Sequence, residues 1–279
     1  MAATSSIRVA LDDELPAVGA VGSRAGFGPR VLDQLRFLRR RELGEVFVAD
    51  AVGRPVGAAA CIAFEGTGWI GAVGVVPEAR SQGIGGALTE AAVDWLHQAG
   101  ADPILLQATA LGRPVYERLG FLAEGEYVML SGPALPGDRR APHGVRAGRA
   151  EDLPAVIELD RAATGEDRSR LLETVWPSGA LVAEHAGVLD GFHVTSGAGP
   201  GGAIVATSTE AGVRLIDGAR SIFAPGEHMT PVPHANRPAR HALRERGYRD
   251  ATRTTRMRLG PPVPWNQRAI YSAFNLFWG

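Results

Sequence analysis

The sequence contains no lysine, a single cysteine and no long apolar run. All 29 basic residues are arginine, and 30 acidic residues bring the formal charge to −1. A chain balanced in this way has no bulk electrostatic reason to bind nucleic acid or an anionic membrane. The one cysteine, Cys61, excludes an internal disulfide framework and a multi-cysteine metal site.

Other expected signals are also missing. No apolar run approaches the ~20 residues that a membrane-spanning helix needs. The N-terminal residues lack the basic and apolar regions of a secretion signal. The histidines match no metal-binding spacing, so no metal is expected. We therefore expect a cytoplasmic protein without nucleic-acid or membrane partners.

The length of 279 residues is typical of two domains at about 100–200 residues each. Residues 132–144 are rich in proline and glycine, which sustain neither a helix nor a central strand. They predict a linker between a first domain at residues 1–131 and a second at residues 145–279.

Two motifs occur in both halves and in the same order. The first pairs Ile7–Pro16 with Val145–Pro154 at an offset of 138, and each copy leads from a short strand through acidic residues to a helix start. The second pairs Glu117–Phe121 with Arg244–Tyr248 at an offset of 127. The order favours an internal duplication.

Strand and helix patterns alternate along each half, and several neighbouring strands are joined as hairpins. This pattern predicts an α+β fold, with a mixed, mostly antiparallel twisted sheet flanked by helices. The clearest helix is Ile84–Gln98, whose apolar residues recur at helical spacing.

The segment Trp69–Leu88 leads from an apolar strand through a glycine-rich loop into that helix. The first turn of a helix has N–H groups without internal partners, and glycines let an anion approach them closely. We expect Gln82–Ala87 to bind a diphosphate. The loop is not a P-loop, which requires lysine, nor the dinucleotide-binding glycine pattern.

The pattern Arg80-x-x-Gly83-x-Gly85 resembles the signature of the GNAT superfamily of acyl-CoA-dependent N-acetyltransferases. Downstream, Gly112–Phe121 is similar to a second hallmark, a tyrosine on a short helix that ends in Gly-Phe. The resemblance covers residues 7–130. It implies tandem GNAT-like domains, the first with a splayed-strand acyl-CoA cleft.

The resemblance also implies a site. The strand residues would bind the pantetheine arm of acetyl-CoA through their backbone, and Gly74 would suit a β-bulge there. Arg80 would either contact a CoA phosphate or brace the loop. Tyr116 would be the catalytic acid that protonates the leaving thiolate. The implied cofactor-binding residues are Val73, Gly74, Val75, Arg80, Ser81, Gln82, Gly83, Ile84, Gly85, Gly86 and Thr109.

Two departures from the family pattern are visible. Thr109 stands where many members carry an asparagine that binds the CoA arm or the substrate. No general base is evident. Glu65 and Glu78 are acidic candidates, but residues in such positions are more often surface carboxylates. In the second half the glycine loop is missing and Leu243 matches Tyr116, which predicts a degenerate domain.

The sequence thus predicts an acetyl-CoA-dependent N-acetyltransferase acting on a primary amine of a small molecule or peptide. The alternatives are a non-catalytic acyl-CoA-binding or sensing protein, transfer of another acyl group, and an oxygen acceptor. The arginine-rich stretch 237–258 favours a solvated surface. The aromatic segment 265–279 is expected to pack onto a domain or onto a second copy in a homodimer.

Overall fold

The computed structural model describes residues 6–28, 30–51, 53–133, 142–195, 202–222 and 226–279. Most of the predicted linker, residues 134–141, lies outside the described residues. The first half of the chain forms, in order, β1 (Ser6–Val9), α1 (Leu15–Gly22), α2 (Val31–Arg40), β2 (Gly44–Ala51), β3 (Arg54–Ala63), β4 (Gly68–Val75), α3 (Ile84–Gln98), β5 (Ile104–Ala108), α4 (Arg113–Arg118) and β6 (Leu122–Pro133).

The second half repeats this order of strands and helices and adds one strand. Its elements are β7 (Val145–Ala147), α5 (Leu153–Thr164), α6 (Ser169–Val175), β8 (Leu181–His185), β9 (Val188–Thr195), β10 (Gly202–Ala206), α7 (Thr209–Ile222), β11 (Glu227–Pro233), α8 (Arg237–Glu245), β12 (Arg249–Leu259) and β13 (Ile270–Ser272). No helix in the described parts of the chain is long and apolar enough to span a membrane.

The strands pair mostly in antiparallel fashion, which confirms the predicted mixed α+β fold. In the first half the strand order is β1-β2-β3-β4-β5, and β4 and β5 are parallel. In the second half the strand order is β13-β10-β9-β8-β7. Strand β6, the last of the first half, lies between β12 and β11 of the second half.

The chain divides into two compact units. The first unit extends to Ala123 and also contains Met257–Pro262 and Trp278. The second contains Glu124–Arg256, Val263–Phe277 and Gly279. Most of β6 therefore belongs to the second unit, and the end of β12 belongs to the first. Neither unit is a single continuous stretch of sequence.

Helix α3 packs on β3 and β4 through one apolar face. Ile84, Leu88, Ala92 and Leu96 lie four residues apart and are all buried. This spacing places them in one row along the helix. Their burial orients α3 on the sheet, and its N-terminus follows the loop that leaves β4.

Both halves begin with the same ion pair. Arg8 on β1 binds Glu14 at 2.7 Å, and Arg146 on β7 binds Asp152 at 2.7 Å. The arginine holds the pKa of Glu14 at about 2 and lowers the pKa of Asp152. The recurrence of this pair at an offset of 138 supports duplication of the helix start.

The expectation that the arginine-rich stretch is solvated is wrong for Arg256. Its side chain is 2% exposed, and it binds Glu124 at 3.1 Å. Its guanidinium also lies 4.5 Å from the centre of the Trp265 ring. A planar guanidinium can stack on an aromatic ring and pair with a carboxylate at once, which makes this burial possible.

Arg168 and Asp160 form a second buried ion pair, with two hydrogen bonds of 2.9 and 2.6 Å. Their side chains are 3% and 1% exposed. We expect Arg168→Ala to lower the free energy of unfolding by about 3–5 kcal/mol, because Asp160 would remain buried without its partner. Chemical denaturation of the full chain measures this change.

Arg244→Ala is the matched control. Arg244 binds Asp250 at 2.8 Å, but both side chains are well exposed. We expect a loss of about 1 kcal/mol or less from this exposed pair. Equal losses in the two variants would contradict the assigned importance of the buried pair.

Candidate functional site

The parallel strands β4 and β5 diverge after a short paired segment. Gly68 pairs with Ile104, and the register ends with Ile70 opposite Leu106. β4 continues to Val75 and remains paired with β3 on its other side. The β5-facing edge of β4 beyond Ile70 is therefore free to add an extended ligand as a strand would add.

A bulge distorts β4 at the point where the strands diverge. Ala58 pairs with Gly74 and Ala60 with Gly71, so two residues of β4 lie opposite Ala59. Ala72 has a φ of 52°, which is unusual for a residue with a side chain. The bulge therefore lies at Ala72 and the residue after it, and the predicted bulge at Gly74 is wrong in position.

Gly74 instead allows a close approach between two segments. A Cβ atom at Gly74 would lie 2.6 Å from Cε2 of Phe27 and 2.7 Å from Cβ of Ala25. Such contacts are too short for any side chain. Gly74 thus permits the segment after α1 to pack directly on β4.

The loop after β4 ends in an open helix N-terminus. Ser81 and Gly83 have φ values of 63° and 81°, and the first helical hydrogen bond runs from Ala87 N–H to the Gly83 carbonyl. The N–H groups of Ile84 and Gly85 therefore have no acceptor within α3. A Cβ at Gly83 would meet no atom within 4 Å, so the loop backbone is accessible.

Arg80 braces this loop. Its Nε donates to the Val75 carbonyl at 3.0 Å, and its Nη2 donates to the Ala25 carbonyl at 3.3 Å. Of the two roles left open by the sequence, the structure displays the bracing one. The same side chain also lines the cavity described next, so it adds positive charge there.

A cavity of about 490 Å³ lies between the β4 edge, the start of α3 and α4. Eight of the predicted cofactor-binding residues line it, whereas Gly74, Gln82 and Thr109 do not. The Thr109 hydroxyl accepts a hydrogen bond from Gly112 N–H at 3.2 Å, at the start of α4. The lining residues are Val73, Val75, Ala79, Arg80, Ser81, Gly83, Ile84, Gly85, Gly86, Leu111, Gly112, Val115, Tyr116, Arg118 and Leu119.

Tyr116 also lines the cavity and is 8% exposed. Its ring packs edge-on against Phe121, with 6.0 Å between the ring centres. Burial raises the pKa of the Tyr116 hydroxyl to about 12. The hydroxyl therefore keeps its proton across the neutral range.

Sequence reasoning missed the apolar lining residues in and beside α4, namely Leu111, Val115 and Leu119. The amphipathic spacing of Val115 and Leu119 beside Tyr116 was the available signal. These side chains add apolar surface to the lining of the cavity.

Neither acidic candidate for a general base lines the cavity. Glu65 is exposed after β3. Glu78 is exposed and forms an ion pair with Arg24. A backbone hydrogen bond and this arginine lower the pKa of Glu78, which weakens it as a proton acceptor. Among the described residues, no group of His, Cys, Asp or Glu side chains is arranged to hold a metal.

Cys61 is buried in β3, and burial raises the pKa of its thiol to about 12. A thiol that holds its proton so firmly is a poor nucleophile, so Cys61 belongs to the core.

Family models match both halves of the chain. The Acetyltransferase (GNAT) family model matches residues 17–121, and an Acetyltransferase (GNAT) domain model matches residues 156–272. Together they account for most of the sequence. No curated protein matches the sequence.

Solved structures share the whole fold. A Pyrococcus horikoshii protein assigned as an acetyltransferase has a TM-score of 0.83 at 23% identity, covering 99% of this chain and 96% of its own. A GCN5-related N-acetyltransferase from Sphaerobacter thermophilus has a TM-score of 0.62 at 15% identity, covering 94% and 98%. A tandem GNAT protein from the clavulanic acid biosynthesis pathway has a TM-score of 0.60 at 14% identity, covering 93% and 100%.

The close packing at Gly74 yields a stability prediction. We expect Gly74→Ala to lower the free energy of unfolding by about 1–3 kcal/mol, since the added methyl group collides with Phe27 and Ala25. In the control Gly85→Ala, the nearest atom to the new Cβ is 3.9 Å away. That variant should be as stable as the native protein or slightly more stable, because alanine favours helix. Chemical denaturation of both variants is the measurement, and equal stability would contradict the close approach.

Proposed function

This chain belongs to the GNAT acetyltransferase family and is an acyltransferase, and on that basis we propose that it transfers the acetyl group of acetyl-CoA to a primary amine of a small molecule or peptide. The observation that carries the proposal is the cavity of the first unit. A free strand edge, an open helix N-terminus and a buried tyrosine all border it.

The residues around the cavity fit acetyl-CoA. The free N–H groups at the start of α3 would bind the diphosphate, and the open surface at Gly83 leaves room for it. Arg118 is exposed at the cavity and would add a positive charge. The backbone of Val73 and Val75 would hydrogen-bond to the pantetheine arm as a neighbouring strand does.

Tyr116 is the proposed catalytic acid. When bound, acetyl-CoA would supply an acetyl group activated as a thioester. Because burial raises the pKa of Tyr116 to about 12, its hydroxyl is protonated at every pH well below that value. As the amine nitrogen bonds to the acetyl carbon and the carbon–sulfur bond breaks, the Tyr116 hydroxyl would protonate the leaving sulfur. The nitrogen would lose a proton to solvent, and solvent would return a proton to Tyr116. General acid catalysis of this kind contributes about 10²–10⁴ in rate.

The first test measures thiol release from acetyl-CoA with a panel of primary amines. We expect turnover with at least one amine, and Tyr116→Phe should lower kcat by about 10²–10⁴ while the Kd for CoA stays unchanged. Tyr248→Phe removes a hydroxyl from a buried tyrosine of the second unit and serves as the control.

The outcomes of this test separate the candidate functions. Tight CoA binding without turnover of any amine would instead favour an acyl-CoA-binding protein that does no chemistry. A full rate in Tyr116→Phe would remove the acid role from Tyr116 but not the transferase activity.

A second test addresses the loop. Gly83→Glu should abolish CoA binding in titration calorimetry, because it places a carboxylate where the diphosphate would lie. Gly53→Glu is a matched control. Gly53 also has a positive φ, of 71°, and open space around its Cβ position, but it does not line the cavity. Unchanged affinity in Gly83→Glu, or an equal loss in both variants, would contradict the assignment.

A further inference from the structure

The second unit uses the repeated elements differently from the first. By their order in the chain, β10 and β11 correspond to β4 and β5, and α7 and α8 correspond to α3 and α4. β4 and β5 pair directly at their start. β10 and β11 belong to different sheets, and β13 contacts both strands.

Hydrogen bonds hold the segment around β13 on both sides. On one side β13 pairs antiparallel with β10, with Ser272 opposite Ile204. On the other side Ala273 N–H donates to the Pro231 carbonyl of β11 at 2.8 Å. The segment around β13 therefore bonds to backbone groups of β10 and β11. In the first unit no strand among the described residues lies between β4 and β5 where they diverge.

Asn236 binds the inserted segment from the start of α8. Its Nδ2 donates to the carbonyls of Arg268 at 3.0 Å and Ile270 at 2.9 Å. Its Oδ1 accepts from Ala239 N–H at 3.0 Å and so caps α8. The side chain is fully buried. At the offset of 127 it corresponds to Thr109, whose hydroxyl accepts a hydrogen bond from Gly112 N–H in its own turn.

Tyr271 covers the start of α7. A Cβ at Gly212 would lie 2.3 Å from Cζ of Tyr271, so the ring lies against the bare helix backbone. The Tyr271 hydroxyl hydrogen-bonds the side chain of Thr209, the first residue of α7. In the first unit, Gly85 and Gly86 at the start of α3 line the open cavity instead.

We propose that the second unit is a peptide-binding domain whose ligand is this chain's own segment Val263–Phe277, held in the slot between β10 and β11 that corresponds to the divergence of β4 and β5 in the first unit. The slot recognises an extended peptide through strand pairing with β10 and a backbone hydrogen bond to β11. Asn236 donates to two carbonyls of the segment. The ring of Tyr271 packs on the backbone at Gly212. The proposal goes beyond acetyl transfer and does not depend on it.

Hydrogen exchange of the full chain tests the proposal with Asn236→Asp. Aspartate keeps the oxygen that caps α8, but it loses both donors and places a charge against two carbonyls. We expect the amides of Ala206 and Ala273, which bond across the inserted segment, to exchange about ten-fold faster or more. Amides of α5 and β8 should keep their protection.

Asn266→Asp is the matched control. Asn266 lies in the same segment, is exposed, and uses only its Oδ1, which aspartate retains. It should exchange like the native protein. Equal exchange in the two variants would overturn the proposal. So would a rise at α5 and β8 in step with Ala206 and Ala273, because the segment would then be an inseparable part of the core.

Titration of the native full chain with CoA gives a second readout that does not depend on how the Asn236 and Asn266 variants fold. A filled slot allows at most one CoA site per chain, and a site that Gly83→Glu removes would be the one in the first unit. Two CoA sites would overturn the proposal. No CoA site at all would contradict the proposed transferase function and leave the peptide-filled slot standing.

Discussion

When two neighbouring strands diverge, their facing N–H and C=O groups must find other partners, because a buried unpaired peptide group costs about as much as a lost hydrogen bond. β4 and β5 diverge after Ile70, and a cavity borders the freed edge. In the second unit β13 pairs with β10, and Ala273, the residue after β13, donates a hydrogen bond to Pro231 of β11. The same backbone constraint thus leaves a free strand edge beside a cavity in the first unit, and in the second unit it is met by an inserted strand.

Much of the fold could be predicted from the sequence. Helix α3 has the bounds that periodicity predicts, Ile84–Gln98, because apolar spacing is a local property of the chain. The glycine loop and Tyr116 were also found locally, since the motif and its neighbouring elements are continuous in sequence.

Other features depend on contacts between distant residues, and no local pattern encodes them. Arg256 is buried because Glu124 and Trp265 are brought to it by the fold. The bulge at Ala72 places an alanine at a positive φ, which alanine rarely adopts, so the residue type does not indicate the bulge. β13 is only three residues long and follows a proline-rich stretch, and its pairing partners lie far back along the chain.

The backbone at Ala72 has a thermodynamic consequence for any ligand of the cavity. A left-handed conformation at a residue with a side chain costs about 1–2 kcal/mol, and here the fold imposes it beside the free edge of β4. The strain is incurred once, when the chain folds, and not in each binding event. The strand edge is therefore preorganised, and an incoming molecule meets backbone groups that need little rearrangement.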